Sequence, residues 1–237
     1  MHDDFGRKVA VVTDATGIAG TAVARRLARD GTILALGAPD TTALQALAAE
    51  LTRDGAEVLA LKTDMTEGSQ VLRLVAAAEA AFGRIDVMVN TPLPVEQLVF
   101  PETNVDVIAG FHLLGLIHGI AAILPYPQRR ACRVVHIAPL LSLGCTMDVA
   151  VRNIVVNAST RLRNHASSCG VRAALVAPGR LTGHGCVHAR PDRARLENQA
   201  ATVARAVAFA IGQEQCMDVD EILLALSPFL RDESRRS

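Results

Sequence analysis

Tyrosine and lysine, two residues that can work together in proton transfer, are almost absent from the chain. Tyr126 is the only tyrosine, and Lys8 and Lys62 are the only lysines. A mechanism in which a lysine lowers the pKa of a proton-donating tyrosine must therefore use these three residues. Tyr126 stands between two prolines, which predicts the end of a helix and a packing role for the ring. The sequence therefore disfavours Tyr–Lys chemistry.

A short segment carries residues that can bind a metal ion. His184, Cys186 and His188 alternate with other residues, and histidine and cysteine are both zinc ligands. The five cysteines of the chain form no CxxC pair, however, and their odd number and scattered positions are typical of reduced thiols. We therefore predict no metal site and no disulfide framework.

The charge balance excludes several classes of partner. The 24 basic residues equal the 24 acidic residues, so no basic field exists to bind nucleic acid or an anionic membrane. No apolar stretch reaches the roughly 18 residues that a membrane span needs, and the first residues do not resemble a signal peptide. We expect a cytoplasmic protein that binds a small molecule and neither nucleic acid nor membrane.

Apolar runs of strand length alternate with helical patterns along the chain. This alternation predicts an α/β fold, with a doubly wound parallel sheet in three αβα layers. We expect one domain over residues 1–237, with a substrate-loop excursion at 178–197 and a polar tail at 230–237. The predicted strands are 8–13, 32–36, 58–62, 85–90, 133–138, 171–176 and 222–226. The predicted helices are 17–30, 41–54, 69–82, 105–124, 148–166 and 199–212.

Four segments resemble the short-chain dehydrogenase/reductase family over nearly the whole length, with a pattern most like the branch of clavulanate-type dehydrogenases. They are GRKVAVVTDATGIAGTAVARRLARDG, LKTDMTEGSQVLRLVAAAEAAFGRIDVMVN, LVAPGRLT and VARAVAFAIGQEQCMDVDEILL. The resemblance implies a Rossmann-like sheet that binds NAD or NADP at its carboxyl edge. It also implies a homodimer, a tetramer or a heteromer with an active paralogue, packed through the two long helices.

The resemblance places the cofactor-binding residues at Thr13, Gly17, Ile18, Gly20, Asp64, Asn90, Pro178 and Gly179. The family loop reads TGxxxGxG, whereas this chain reads TDATGIAG, so Asp14 and Ile18 replace two glycines. Those glycines let the backbone approach the pyrophosphate at a helix N-terminus. Asp14 puts a carboxylate there instead, either as a helix cap or as a group that opposes phosphate. We therefore expect a degraded cofactor site.

The family's catalytic Asn, Ser, Tyr and Lys are all replaced. By the same resemblance His112 stands at the Asn position, Asp148 at the Tyr position and Arg152 at the Lys position. The Ser window falls on Ile137-Ala138-Pro139, which contains no hydroxyl. An aspartic acid holds no proton at neutral pH, and a nearby arginine keeps it ionised. Asp148 and Arg152 could act with His112 as a base and an anion binder in non-redox chemistry, or form only a helix ion pair.

Three hypotheses for the function follow from these replacements. The first is a pseudo-oxidoreductase repurposed for non-redox chemistry or acting as a partner subunit in a specialised small-molecule pathway. The second is a divergent NAD(P)-dependent oxidoreductase acting on a carbonyl or an alcohol. The third is a dimeric binding or scaffold protein without catalysis. Loss of every catalytic position while the fold is kept favours the first or the third.

Overall fold

Seven parallel strands form one sheet, in the order β3-β2-β1-β4-β5-β6-β7. The computed structural model describes residues 7–91, 105–125, 132–137, 157, 160–161, 171–178, 193–213, 219 and 221–224. The strands are β1 (Val9–Val12), β2 (Ile33–Ala38), β3 (Val58–Lys62), β4 (Val87–Asn90), β5 (Cys132–Ile137), β6 (Val171–Pro178) and β7 (Glu221–Leu224). This arrangement confirms the predicted doubly wound α/β sheet.

Five helices of the described residues cover the two faces of the sheet. They are α1 (Ile18–Arg29), α2 (Thr41–Arg53), α3 (Gly68–Phe82), α4 (Val105–Ile123) and α5 (Arg193–Gly212). Residues of α1, α2 and α5 pack in one buried apolar cluster, and residues of α3 and α4 pack in the other. Helix α5 begins at Arg193, six residues before the predicted start at Gln199, so it includes the end of the predicted 178–197 excursion.

The chain reverses its direction of travel across the sheet at β1. Strand β1 pairs with β2 on one side and with β4 on the other. After β1 the chain continues toward the β3 edge of the sheet, and after β4 it continues toward the β7 edge. In open parallel sheets a ligand site forms at the carboxyl edge of such a switch point. All four residues of β1 and all four of β4 are buried, which fixes the position of this edge.

Helix α4 is apolar on all sides. Its 19 residues include few polar side chains, among them His112 and His118. Leu116, Ile120 and Ile123 are buried against the sheet, while other apolar side chains of α4 remain partly exposed. Within the described part of the chain, no helix is both long and apolar enough to cross a membrane.

Candidate functional site at the switch point

The ends of β1 and β4 are joined by hydrogen bonds of two threonines. The Thr13 backbone N–H donates to the Val89 carbonyl at 3.1 Å, and the Thr91 N–H donates to Thr13 Oγ1 at 3.1 Å. The Thr91 hydroxyl donates to the Thr13 carbonyl. Thr13 is fully buried. It therefore fixes the start of the loop that leads into α1.

That loop makes a short turn onto the end of β2. The Ala15 N–H donates to the Gly37 carbonyl at 3.0 Å, and the Gly17 N–H donates to the Asp14 carbonyl at 3.0 Å. The Thr21 hydroxyl donates to the Ala15 carbonyl at 3.0 Å. The loop is thus held by β2 and by the first turn of α1.

Helix α1 begins without a side-chain cap from the described residues. Its N-cap is Gly17, whose side chain can accept no hydrogen bond, and the first turn contains no acidic residue. The first N–H groups of a helix lack partners inside the helix and carry partial positive charge. The half-buried Ile18 opens this turn. The helix start is therefore a site where an anion can bind.

Asp14 occupies a backbone conformation that favours glycine. Its φ angle is +43°, the only positive φ of a non-glycine residue in the described ranges. The interpretation of Asp14 as a helix cap is wrong, because Gly17 is the N-cap and no side-chain hydrogen bond caps α1. The left-handed conformation agrees with the glycine that the family resemblance implies at this position.

The Asp14 carboxyl group is buried at the start of α1. The residue is 3% exposed, and Oδ2 has no hydrogen-bond partner among the described residues. Burial disfavours the charged form and raises the pKa of Asp14 to about 7. Near neutral pH the carboxyl group is therefore present in both protonation states.

Two glycines allow the loop to lie directly against α1. A Cβ on Gly20 would overlap the Asp14 carbonyl oxygen and come within 2.8 Å of Ala15 Cα. A Cβ on Gly17 would lie 2.6 Å from Asp14 Oδ2. The predicted residues Thr13, Gly17, Ile18 and Gly20 therefore surround one helix start, with the Asp14 carboxyl group beside it.

Asp64 shapes the turn after β3. Its Oδ1 accepts hydrogen bonds from the Thr66 N–H at 2.9 Å and from the Thr66 hydroxyl at 2.7 Å. Its own N–H donates to Gln70 Oε1 at 3.0 Å. These bonds hold the chain where it enters α3. The contact with adenine that the family resemblance implies for Asp64 stays a prediction.

Asn90 is buried at the end of β4 and packs on α4. It is 2% exposed, and neither atom of its carboxamide group has a hydrogen-bond partner among the described residues. A Cβ on Gly119 would overlap this carboxamide group, so Gly119 makes the contact possible. Sequence reasoning missed Gly119, although a glycine inside an apolar helix is a signal for such a contact.

His136 lies beside Asn90 in the sheet. The two residues are paired in register between β4 and β5, and His136 is 4% exposed. His136 is thus a buried residue at the carboxyl edge of the sheet. His118 of α4 makes a hydrogen bond through Nδ1 with the Met65 carbonyl at 2.9 Å, which ties α4 to the turn after β3.

Most of the predicted catalytic residues lie outside the part of the chain that the structure describes. Asp148, Arg152 and Gly179 lie outside the described residues, as do Ala138, Tyr126 and the His184–His188 segment. His112 lies in α4, but its side chain is not described. Pro178 ends β6 and pairs in register with Leu224 of β7. The proposed proximity of His112, Asp148 and Arg152 therefore stays a prediction.

Comparison with known proteins identifies the family. The family model for short chain dehydrogenases matches residues 8–184. The chain is 30% identical to glycine betaine reductase ATRR of Emericella nidulans. The match covers 92% of this chain but only 18% of the length of that protein. It is 34% identical over 147 residues to the (2S)-[(R)-hydroxy(phenyl)methyl]succinyl-CoA dehydrogenase subunit BbsC of Thauera aromatica, covering 61% of this chain and 59% of that protein.

A solved structure agrees with this family. The alcohol dehydrogenase from the archaeon Thermococcus sibiricus, complexed with 5-hydroxy-NADP, superposes with a TM-score of 0.71 at 25% identity, covering 92% of this chain and 96% of that one. The chain belongs to the short-chain dehydrogenase family, which confirms the resemblance seen in the sequence. Its sheet is the Rossmann-like sheet of that family.

Proposed function

We propose that the protein is a pseudo-oxidoreductase of this family, which does not transfer hydride itself and acts as a partner subunit in a small-molecule pathway. One observation carries the proposal. The buried Asp14 carboxyl group lies at the start of α1, where the phosphate groups of a dinucleotide would bind. An ionised carboxylate there opposes a ligand phosphate, so cofactor affinity is reduced at and above neutral pH.

The scarcity of proton donors supports the same conclusion. No lysine follows Lys62, so no Tyr–Lys pair exists in the second half of the chain. General acid catalysis supplies a factor of roughly 10²–10⁴ in rate, and this contribution is lost without a suitable donor. A weakened cofactor site reduces cofactor binding, whereas a missing proton donor slows proton transfer to the substrate. Together they favour a subunit without hydride transfer of its own.

We expect the purified protein to show no NADH or NADPH oxidation with a panel of simple aldehydes and ketones. The measurement is the loss of reduced-cofactor absorbance over time, compared with protein-free solutions and with an active member of the family as a positive control. Turnover above the protein-free rate, at any pH, would contradict the proposal and support a divergent oxidoreductase.

The exposed side of α4 supports a partner subunit. Leu114 is 41% exposed and Ile117 is 40% exposed, and Ala121 lies one further turn along the same side. A helix that is apolar on all sides is normally covered on all sides. The relative in Thauera aromatica is named as a subunit of a dehydrogenase. We propose that a second chain of the same fold packs on α4, in a homodimer or in a heteromer with an active paralogue.

Ile117→Glu is expected to convert a self-associated protein into a monomer, because it places a charge in the middle of this apolar surface. Sedimentation velocity measures the change, and circular dichroism checks that the fold is kept. The matched control is Leu72→Glu on α3, which places the same charge at an apolar residue that is 47% exposed. A wild-type protein that is monomeric at tens of micromolar, or equal effects of both variants, would contradict self-association through α4.

A divergent oxidoreductase is the second candidate function. No side chain caps the start of α1, and Gly20 packs directly against the Asp14 carbonyl group. The fungal relative is named as a reductase, and the solved alcohol dehydrogenase holds an NADP derivative. These observations support NAD or NADP as the ligand class of the site. Non-redox chemistry by His112, Asp148 and Arg152 would need those side chains in one pocket.

The cysteines favour a cytoplasmic location within this proposal. Cys132 is a free, buried thiol, and burial raises its pKa to about 12. It is therefore unreactive at neutral pH. An odd number of cysteines without CxxC pairs is typical of a reducing compartment.

A further inference from the structure

We propose that the start of α1 is a proton-linked diphosphate site, in which a ligand binds together with one proton that Asp14 carries. The inference goes beyond the proposed function, because it concerns binding at the loop and not hydride transfer. It rests on three features of the loop: an uncapped helix start, a buried carboxyl oxygen without a partner among the described residues, and glycines that let the loop pack closely on α1.

The uncapped helix start supplies the attraction for an anion. Helix α1 has 12 residues, and no side chain among the described residues accepts hydrogen bonds from its first turn. Such N–H groups, together with the helix dipole, bind phosphate. A diphosphate in this position would also lie next to the Asp14 carboxyl group.

The buried carboxyl group determines the conditions for binding. Asp14 Oδ2 lies 2.6 Å from the place of a Gly17 Cβ, which puts it directly beside the N-cap of α1. In its ionised form this buried oxygen repels a phosphate oxygen. In its protonated form the same group is uncharged and can donate a hydrogen bond to a phosphate oxygen.

The backbone of Asp14 is fixed beside the helix start. This backbone is held by the Gly17 N–H bond to the Asp14 carbonyl, and Gly20 packs on that same carbonyl. Protonation removes the repulsion without any movement of this backbone. Because burial raises the pKa of Asp14 to about 7, this protonation costs little free energy near neutral pH.

Few other titratable groups surround Asp14 among the described residues. Strands β1, β2 and β4 contain none, and the arginines of α1 (Arg25, Arg26 and Arg29) lie in the second half of that helix. The remaining groups at this edge are His136 of β5, Asp40 after β2, and Lys62 and Asp64 at the end of β3. Burial is the cause of the shift at Asp14.

The test is a titration with NADH at several pH values between about 6 and 9, read by the fluorescence of the cofactor. NADH suits this purpose because each phosphorus of its pyrophosphate bridge carries one strongly acidic oxygen, which keeps its charge over this range, unlike the phosphomonoester of NADPH with a pKa near 6. The absence of tryptophan keeps the protein background low. We expect the affinity to fall about tenfold per pH unit above about pH 7, and to level off below it.

Three variants identify the titrating group. Asp14→Asn keeps the shape and cannot ionise, so its affinity should not depend on pH and should match the wild-type value at low pH. Asp14→Gly should also show no dependence, and it suits the left-handed backbone. Asp30→Asn makes the same charge change at the opposite end of α1, where Asp30 is paired with Arg26, and should keep the wild-type slope.

Inorganic pyrophosphate, added as a competitor, tests which part of NADH is recognised. We expect it to displace NADH at about pH 6, where Asp14 is protonated, and the comparison is made at this one pH because the phosphates of pyrophosphate themselves titrate over the range. Failure to compete would overturn a diphosphate site. The proposal would also be overturned by pH-independent wild-type binding, by no saturable binding at low pH, or by a slope that persists in both Asp14 variants. Turnover of NADH together with the expected slope would overturn the proposed function alone.

Discussion

Asp14→Gly is expected to raise the free energy of unfolding, and to raise it more at pH 7.5 than at pH 4. The pKa of an unfolded aspartic acid is about 3.9, whereas burial raises the pKa of Asp14 to about 7 in the folded protein. The folded state therefore binds the proton more tightly, so the wild type loses stability as the pH rises through this interval. Three pKa units correspond to about 4 kcal/mol.

Glycine removes this loss because it has no carboxyl group to ionise. It also adopts the φ of +43° without the cost of about 1 kcal/mol that a side chain carries in the left-handed region. The variant should therefore exceed the wild type by about 1 kcal/mol near pH 4 and by several times that amount above about pH 7. Above this range the difference should be constant, because Asp14 is ionised in both states.

Urea denaturation at a series of pH values measures the effect. Asp14→Asn serves as the control, because it removes the titration and keeps a side chain in the left-handed conformation. It should show the pH-dependent part of the gain without the backbone part. If the stability of the wild type followed that of Asp14→Asn in parallel from about pH 4 to about pH 7, the buried carboxyl group would not be the source of the difference.

The sheet could be predicted from the sequence because hydrophobic periodicity decides it. Continuous apolar runs such as that at β1 are buried on both faces, and a parallel sheet is the arrangement that buries them. The start of α5 was predicted too late, since Arg193 and Glu197 are exposed residues that lie outside the apolar pattern. An ion pair between them, one turn apart, supports the first turn of the helix.

The position of the loop before α1 could be predicted from the sequence, but the burial of the Asp14 carboxyl group could not. The structure places Thr13, Gly17 and Gly20 around one helix start, and their contact with a cofactor stays a prediction. The resemblance did not reveal whether the Asp14 carboxyl group is solvated or buried, because that depends on the close packing of the loop on α1. The buried carboxyl group has a raised pKa and no partner for Oδ2 among the described residues.

The contact between Asn90 and Gly119 needed the structure for a similar reason. The two residues are far apart in sequence, and only the packing of α4 on β4 brings them together. Their contact excludes a side chain at residue 119 and leaves the Asn90 carboxamide group without a hydrogen bond to the described residues. Buried polar groups without partners are rare, and apolar periodicity gives no sign of them.

Gly20→Ala is expected to destabilise the protein by about 3 kcal/mol, although alanine is the better helix former. Its Cβ would overlap the Asp14 carbonyl oxygen and lie 2.8 Å from Ala15 Cα. Both are backbone atoms, so no side-chain rotation can relieve the overlap. The loop would have to move, which breaks the hydrogen bonds of Ala15 with Gly37 and with Thr21.

Gly212→Ala provides the comparison, because a Cβ there meets no atom within 4 Å. It should change the free energy of unfolding by no more than about 0.5 kcal/mol. Chemical denaturation of both variants measures the difference between a glycine required by contact and one that is not. If Gly20→Ala were as stable as Gly212→Ala, the loop would have room to move. The Asp14 carboxyl group could then move away from a bound phosphate, and affinity at this helix start would no longer require its protonation.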